Sequence, residues 1–316
     1  MLKVAIETWY TTRFAWKDLY GARIFMQKFF AAHAIELVRV SINTFDDKKQ
    51  CFVEYNTLDA DGKNIPIHKK YVPDIIRSRR WTAITHKYDV FKNFLVVPSK
   101  KIAIIGNDKF ENYKFTKHYQ PFTALLSNFF CNETLQKTFT KNIVIKPIRA
   151  NGGKGILLTT IPELLKKRKK YHWLEELYIV QQFKDFTKWY PWICTGNHDV
   201  RFMFAWNKII EITLRIPKKW DFRSNLWSGW TQKNIQKKQI PKDLLLLSKK
   251  IYKTLNLDGK DIFSMDFAYC KKDTQRYLLE TNASPWTWYY QTDKKILSSI
   301  CRGLVTFFQG IHPTKT

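Results

Sequence analysis

The chain has 316 residues, with 54 lysines and arginines against 27 aspartates and glutamates, which gives a formal net charge of +27. This length exceeds what one hydrophobic core usually organises, so we expect two or three domains. The hydrophobic share of 45% is typical of a globular protein, and no apolar run approaches the roughly 20 residues of a membrane-spanning helix. The positive charge would attract nucleic acid, anionic lipid, or an acidic small molecule or peptide.

The N-terminal sequence MLKVAIETWY holds Glu7 within an apolar run and lacks the long apolar segment of a secretory signal. The five cysteines are widely spaced and form no C-x-x-C pair, which argues against a disulfide framework and against a zinc site. We therefore expect a cytoplasmic protein with reduced thiols. The sequence also lacks the phosphate-loop, dinucleotide-binding, zinc-protease and nucleophile-elbow motifs, which removes several common enzyme classes.

The N-terminal third predicts a small α/β domain. Apolar, β-branched runs at 2–6 and 34–42 flank a segment with helical spacing at about 18–33, which indicates an opening βαβ unit. Residues 71–76 predict a further strand, and the apolar run KIAII at 101–105 predicts another.

The middle of the chain predicts a helix at about 108–118, followed by a hairpin within 142–160 around the glycine-rich centre NGGKG. Thr160 and Glu163 form a T-x-x-E capping box, so a helix is expected from there toward residue 177. A strand follows at 178–183.

The C-terminal third alternates strands and amphipathic helices. The expected elements are a hairpin of 200–206 with 209–216, a helix at 241–254, strands at 262–269 and 276–281, and a final helix at about 293–309.

Three oxygen-bearing side chains lie on the last two predicted strands. Glu280 and Asn282 are two residues apart on one strand and so share a face, and an antiparallel neighbour can bring Asp266 alongside them. Two carboxylates and an amide oxygen suit Mg²⁺ or Mn²⁺. The same pattern also fits a hairpin whose end carboxylates are merely solvated, and the spacing alone leaves both interpretations open.

Lys146 lies among β-branched residues in the strand IVIKPI, where an ammonium group is costly to bury unless an anion meets it. The glycines that follow, Gly152, Gly153 and Gly155, let the backbone approach a ligand, and Lys154 adds a charge between them. An Asn-Gly pair is also a strong turn signal. The stretch therefore predicts either a plain hairpin or a glycine-rich lid over phosphates.

Six motifs in chain order resemble those of the ATP-grasp superfamily, and within it the glutathione synthetase and ribosomal-protein glutamate ligase branch. They are Asp108-Lys109, KPIRANGGKG, Gln181-Gln182-Phe183, HDVRFMFAWNKIIEITLRI, DFRSNLWSGW, and MDF together with LETNASP. The resemblance covers about residues 105–290. It implies an ATP-grasp fold, with α/β and α+β parts, behind an N-terminal pre-ATP-grasp α/β domain.

The resemblance also implies that the chain binds ATP and divalent ions. The implied ATP-binding residues are Lys109, Lys146, Gly152, Gly153, Lys154, Gly155, Gln181, Gln182 and Phe183. The implied metal ligands are Asp266, Glu280 and Asn282, which would bind two Mg²⁺ ions, with Mn²⁺ as an alternative. Arg215 and Arg201 would steady an acyl phosphate, and Asn225 would join the phosphate and metal cluster.

The expected domains are an N-terminal domain at 1–105, a central ATP-grasp subdomain with the glycine-rich loop at 106–186, and a C-terminal subdomain with the metal site at 187–316. The implied activity is carboxylate–amine ligation through an acyl phosphate, with release of ADP and phosphate. The positive charge favours an acidic small molecule, peptide or protein tail as substrate, and Arg77, Arg79 and Arg80 are hypothesised to recognise it.

The family pattern is interrupted at two points. Gly229-Trp230 stands where the family has paired glycines, and Trp286-Thr287-Trp288 follows Ser284-Pro285 in place of glycine. Both changes add bulk near the acceptor side, so the sequence identifies neither the carboxylate nor the amine, and homo-oligomerisation is left open as well. The alternative is a basic nucleic-acid-binding protein without ligase activity, whose affinity would depend steeply on salt and not on ATP.

Overall fold

The computed structural model describes residues 1–7, 17–59, 61, 63–78, 88–150, 153–186, 198–217, 231–257, 259, 261–270, 272–283 and 294–311. Within these residues the strands form three main sheets and one two-stranded ribbon. Each main sheet is built from its own stretch of the chain.

The first sheet belongs to the N-terminal part. Its region contains β1 (Leu2–Glu7), α1 (Lys17–Ala31), β2 (Ile35–Val40), β3 (Phe45–Asp46), β4 (Cys51–Phe52), β5 (Tyr55–Leu58), β6 (Asn64–Ile67), β7 (Ile75–Arg77) and β8 (Leu95–Val97). The sheet order is β6-β5-β2-β1-β7-β8, while β3 and β4 form the ribbon. Since β1 pairs in parallel with β2 and α1 connects them, the predicted βαβ opening is confirmed.

Two predicted strands differ in the structure. Residues 71–76 yield a strand only from Ile75 onward, and Tyr71 makes an isolated bridge to Phe52. The strand predicted at 101–105 was wrong, because these residues form helix α2 (Lys100–Asn107). The hydroxyl of Ser99 caps this helix by accepting from the Ile102 N–H at 3.4 Å, and a five-residue apolar run fits a buried helix as well as a strand.

The second sheet is antiparallel and has the order β11-β10-β12-β9. Its region contains α3 (Lys109–Thr116), β9 (Thr123–Leu125), α4 (Leu126–Cys131), α5 (Glu133–Lys137), β10 (Asn142–Pro147), β11 (Leu157–Thr160), α6 (Ile161–Lys166), α7 (Arg168–Tyr171), a 3₁₀ helix (His172–Leu177) and β12 (Tyr178–Gln182). The predicted hairpin is confirmed as β10 and β11, and so is the capping box of Thr160 and Glu163. The helix expected to run toward residue 177 is interrupted. It ends as α6 at Lys166, and α7 and the 3₁₀ helix follow it.

The third sheet is also antiparallel and has the order β15-β14-β13-β16-β17. Its region contains β13 (Asp199–Ala205), β14 (Lys208–Ile216), β15 (Thr231–Asn234), α8 (Lys242–Thr254), β16 (Ile262–Cys270), β17 (Gln275–Asn282) and α9 (Lys294–Ile311). The hairpins and both helices predicted for this part of the chain are confirmed.

Helix α9 joins the first and third sheets. Its side chains Leu304 and Phe307 belong to a hydrophobic cluster that also contains Phe30 of α1 and Met203 of β13. Helix α2 also packs on the third sheet, since Ile102 belongs to a cluster with residues of that sheet. The proposed domain boundary at 105/106 lies inside α2, and both boundaries remain predictions. Among the described residues, no helix has both the length and the apolar character needed to cross a bilayer.

Truncation of Phe307 should test whether α9 holds the two sheets together. The side chain is 1% exposed, so we expect Phe307→Ala to lower the free energy of unfolding by about 3 to 5 kcal/mol, measured by urea denaturation. The neighbouring exposed residue provides the control, because Thr306→Ala should cost less than about 0.5 kcal/mol. Equal stability of the two variants would show that α9 is not part of the common core.

Candidate active site

Two lysines from different elements approach the glycine-rich stretch and the end of β12. Asp108 caps α3 by accepting from the N–H groups of Phe110 and Glu111, both at 3.0 Å, which places Lys109 in the first turn. The Lys109 ammonium donates to the Ala150 carbonyl at 2.6 Å. The Lys146 ammonium donates to the Gln181 side-chain oxygen at 2.7 Å.

The pKa values of both lysines are lowered. Burial is the main cause for each, and Lys109 lowers the pKa of Lys146 further because the two ammonium groups repel one another. The carboxylate of Glu280 acts in the opposite direction on both lysines. The pKa of Lys146 falls to about 8. A nearby anion would favour the charged form of both groups.

The glycine-rich stretch has left-handed backbone at two described positions. Gly153 has φ of 68° and Gly155 has φ of 72°, a conformation that L-residues with side chains rarely adopt. A β-carbon at Gly155 would also lie 2.8 Å from Cγ of Pro147. Lys154 between them is exposed, and Gly152 lies outside the described residues.

Strand β12, which is expected to line the adenine pocket, already has several of its polar groups hydrogen-bonded within the protein. The Gln181 side chain accepts from Lys146 and donates to the Thr123 hydroxyl at 2.8 Å. The N–H groups of Gln182 and Phe183 donate to the carbonyls of Phe122 and Asn142. Any adenine contact made by the backbone of these two residues would therefore use their carbonyl groups.

The three candidate metal ligands converge, as the strand pattern predicts. Asp266 and Glu280 are cross-strand partners on β16 and β17. The amide of Asn282 donates to Asp266 Oδ2 and to Glu280 Oε1, both at 3.1 Å. Asp266 is fully buried, whereas the Glu280 side chain is 35% exposed.

Asp266 is held by two arginines. Arg201 donates to its two oxygens from Nε and Nη2, each at 2.7 Å, and Arg215 donates to Oδ2 at 2.6 Å. Burial raises the pKa of Asp266, but Arg201 and then Arg215 outweigh this and lower it to about 2. Arg215 also binds Asp199 through two hydrogen bonds of 2.5 and 2.8 Å. We call these four residues the arginine–aspartate network.

A single cleft brings these groups together. Its lining includes Lys109, Lys146, Gln181, Glu280 and Asn282, so it draws on α3, on two strands of the second sheet and on β17 of the third. The arginine–aspartate network adjoins Glu280 and Asn282, since the Asn282 amide donates to Asp266 Oδ2 and Arg201 Nη2 lies 4.0 Å from Glu280 Oε1.

Some expected residues lie elsewhere. Arg77 lies in the interior at the end of β7, 2% exposed, and its part in recognising an acidic substrate remains a prediction. Asn225, Arg79 and Arg80 lie outside the described residues. Asp199 was missed as a site residue, although its position two residues before Arg201 places both on one face of β13.

The candidate ligand set fits Mg²⁺ in its chemistry. Carboxylate and amide oxygens are the donors this ion prefers, and Glu280 faces the cleft with Asn282 beside it. The Asn282 amide would need to turn its oxygen toward the ion in place of its NH₂ group. Among the described residues, no group of three or more His, Cys, Asp or Glu side chains could hold a metal, so the set depends on this amide.

Comparison with known proteins identifies the family. The model of the RimK-like ATP-grasp domain matches residues 124–300, more than half of the chain. This confirms the predicted resemblance to the ATP-grasp superfamily. A curated relative, the uncharacterized protein MG011 homolog of Mycoplasma pneumoniae, is 30% identical over 167 residues, which are 52% of this chain and 51% of that protein. The chain therefore spans about half the length of this curated relative.

Solved structures show the same fold at low identity. D-alanyl-alanine synthetase A of Vibrio cholerae matches with a TM-score of 0.62 and 13% identity, covering 98% of each chain. A RiPP-associated ATP-grasp ligase of Chryseobacterium gregarium, in complex with ADP and a leader and core peptide, matches with a TM-score of 0.58 and 12% identity, covering 95% of this chain and 96% of that one. The predicted fold, an ATP-grasp fold behind an N-terminal α/β domain, is confirmed.

Loss of Arg215 should destabilise the chain, because it removes two charge-assisted hydrogen bonds from buried Asp199 and one from buried Asp266. We expect Arg215→Met to lower the free energy of unfolding by about 3 to 5 kcal/mol at pH 7. Because folding lowers the pKa of Asp266, its ionised carboxylate stabilises the fold at pH values above the ordinary pKa of 3.8. This stabilisation is lost as the pH falls through about 2. The difference from the unmodified chain should therefore begin to narrow below about pH 3.8 and continue to narrow as the pH falls toward about 2.

Arg149→Met is the matched control, since that arginine side chain is 80% exposed in its ion pair with Asp108 and should contribute at most about 1 kcal/mol. Denaturant titrations between pH 7 and pH 2 measure both variants. Equal losses in the two would show that the buried network is dispensable for folding.

Proposed function

The chain belongs to the RimK-like ATP-grasp domain family, and on this basis we propose that it is an ATP-dependent carboxylate–amine ligase. The observation that carries the proposal is the cleft in which Lys109 and Lys146 face Glu280 and Asn282. Two ammonium groups with lowered pKa values favour a polyanion, and the acidic wall opposite favours a cation. A nucleotide triphosphate with its divalent ion has both.

Each wall of the cleft has a proposed part in nucleotide binding. Lys109 and Lys146 would bind phosphate oxygens, and the loop of Gly153, Lys154 and Gly155 would close over them. The carbonyl groups of Gln182 and Phe183 would receive hydrogen bonds from adenine. Closure would exclude water, which matters because an acyl phosphate hydrolyses when it is exposed to solvent.

Asp266, Glu280 and Asn282 would hold Mg²⁺, for which we propose two ions. When bound, the ions would neutralise charge on the phosphates, where most catalytic stabilisation in phosphoryl transfer arises. Arg201, 13% exposed and beside Glu280, would extend this positive field toward an acyl phosphate. The same role for Arg215 remains a prediction, and its bonds to Asp199 and Asp266 support a part in orienting Asp266.

The proposed reaction has two displacements. A substrate carboxylate oxygen attacks the γ-phosphorus of ATP, which gives an acyl phosphate and ADP. An amine nitrogen then attacks the acyl carbon, loses a proton and expels inorganic phosphate, and an amide bond results. The excess of basic over acidic residues supports an acidic substrate, and the fold shared with a ligase in complex with a peptide supports a substrate of peptide size.

The ligase proposal predicts a defined set of products. The protein is incubated with ATP, Mg²⁺ and pools of carboxylates and amines that include glutamate and peptides with glutamate-rich tails. We expect ADP, inorganic phosphate and a condensed product by mass spectrometry. Glu280→Gln should lower turnover at least about 100-fold, whereas Glu176→Gln, an exposed glutamate, should leave it unchanged.

Release of AMP and pyrophosphate would contradict the reaction scheme, and so would full turnover by Glu280→Gln. Nucleic-acid affinity that depends steeply on salt and not on ATP would favour the alternative of a basic binding protein.

Binding of ATP should take up a proton at alkaline pH. Burial lowers the pKa of Lys146 to about 8, so the amine of the free protein loses its charge as the pH rises through that value. A bound phosphate favours the charged form, so binding at higher pH requires the amine to take up a proton. Affinity for a non-hydrolysable ATP analogue should therefore fall as the pH rises through about 8. Calorimetry at pH 8 to 9, in buffers of different ionisation enthalpy, measures the uptake.

Lys146→Met should abolish this proton uptake, while Lys141→Met, at an exposed lysine just before β10, should preserve it. Identical uptake in both variants would exclude Lys146 as the phosphate-binding amine.

A further inference from the structure

A side-chain cluster connects the segment that follows β12 to the turn between β16 and β17. The Lys184 ammonium lies 2.8 Å from Asp273 Oδ2, and the Tyr277 hydroxyl donates to the same oxygen at 2.7 Å. Lys184 follows β12 of the second sheet, whereas Asp273 lies in the turn between β16 and β17 of the third sheet and Tyr277 lies on β17. The contact therefore joins two separate sheets.

The acceptor is fixed from several directions. Asp273 Oδ1 accepts from the Gln275 N–H at 3.3 Å, and the Tyr277 hydroxyl oxygen lies 3.1 Å from the Gln275 side-chain oxygen. The Lys184 ammonium lies 5.3 Å from the centre of the Tyr277 ring, which adds a cation–π contact. The ring of Phe186 packs on the same tyrosine at 6.1 Å.

The cluster is partly shielded from water. The Lys184 and Asp273 side chains are 22% and 27% exposed, and Tyr277 is 8% exposed. Although burial raises the pKa of Asp273, hydrogen bonds from Lys184 and Tyr277 lower it to about 2. The carboxylate is therefore charged throughout the physiological pH range.

The position of the cluster relates it to the cleft. Lys184 comes three residues after Gln181, the partner of Lys146. Tyr277 lies three residues before Glu280 on β17, a separation of roughly 10 Å along a strand. The contact thus connects β12, the strand that faces the proposed nucleotide, to β17, the strand that holds the proposed metal ligands.

We propose that Lys184, Asp273 and Tyr277 form an inter-sheet clamp that sets the distance between β12 and β17, and with it the width of the nucleotide cleft. The inference rests on the proposed function for its nucleotide-binding consequence. None of the three residues lines the cleft, so they are positioning residues.

The clamp should act on affinity more than on chemistry. Without it, the two sheets would sample arrangements in which phosphate and metal ligands are misaligned, and apparent affinity falls with the fraction of aligned molecules. Once ATP is bound, the walls are held together by the ligand itself. The KM for ATP should therefore rise while kcat changes little.

The test uses Lys184→Met, Asp273→Asn and the conservative Lys184→Arg, with Lys272→Met as the matched control at an exposed lysine of the same turn. We expect the first two variants to weaken binding of an ATP analogue about fivefold, as for a partly exposed charged pair. Lys184→Arg should retain most of the affinity for the analogue, and Lys272→Met should bind it as tightly as the unmodified chain does.

Hydrogen exchange provides a readout that does not require nucleotide. In Lys184→Met, amides in both 178–186 and 272–277 should exchange faster, although only the first segment contains the substitution, and Lys272→Met should accelerate neither. Faster exchange confined to the first segment, or a fivefold loss of kcat at constant KM, would overturn the clamp. Failure of the unmodified chain to bind ATP would overturn the proposed function, while the exchange pattern would still decide whether the clamp exists.

Discussion

The arginine–aspartate network is the interaction on which the candidate site depends. Four charged side chains lie almost fully inside the third sheet, and a charge left unpaired there would cost several kcal/mol. The pairing is possible only if β14, β13 and β16 keep one register, since Asp199 lies opposite Arg215 and Arg201 lies opposite Asp266. A slip by one residue would turn all of these side chains to the other face of the sheet. The need to pair buried charges therefore fixes where β17 places Glu280 and Asn282.

Three sets of contacts beside this network form the cleft. Asp108 ends α2 and caps α3, which holds the Lys109 turn in place. Lys146 and Gln181 come from neighbouring strands of the second sheet and bond to each other across it. Helix α2 packs its buried face against the third sheet, and a β-carbon on its Gly106 would lie 2.8 Å from Ala283 Cβ at the end of β17. In the resulting arrangement the Glu280 carboxylate acts electrostatically on both lysines.

Local sequence rules predicted much of this arrangement and failed where tertiary context decides. Strand alternation placed Glu280 and Asn282 on one face, and the cost of a lysine in an apolar strand singled out Lys146. The same rules misassigned residues 101–105 as a strand. A run of five apolar residues does not reveal the Ser99 cap or the contacts of α2 with the third sheet, and these decide in favour of a helix. Burial of Arg77 depends on strands β1 and β8 on either side of β7, which lie far away in sequence. Asp199 was missed because a salt bridge across a hairpin needs a known register. Asn225 and Gly152 lie outside the described residues.

The charges of the cleft explain why a nucleotide with its ion is a better candidate ligand than a simple anion. A lone phosphate would satisfy Lys109 and Lys146 but would meet the Glu280 carboxylate on the opposite wall. A lone cation would satisfy Glu280 but would face two ammonium groups and the arginines behind Asp266. Only a ligand with phosphate charge on one side and a divalent ion on the other complements both walls. Since the arginines already neutralise Asp266, the acidic wall is stable before any ion arrives, and the site can fold empty and bind afterwards.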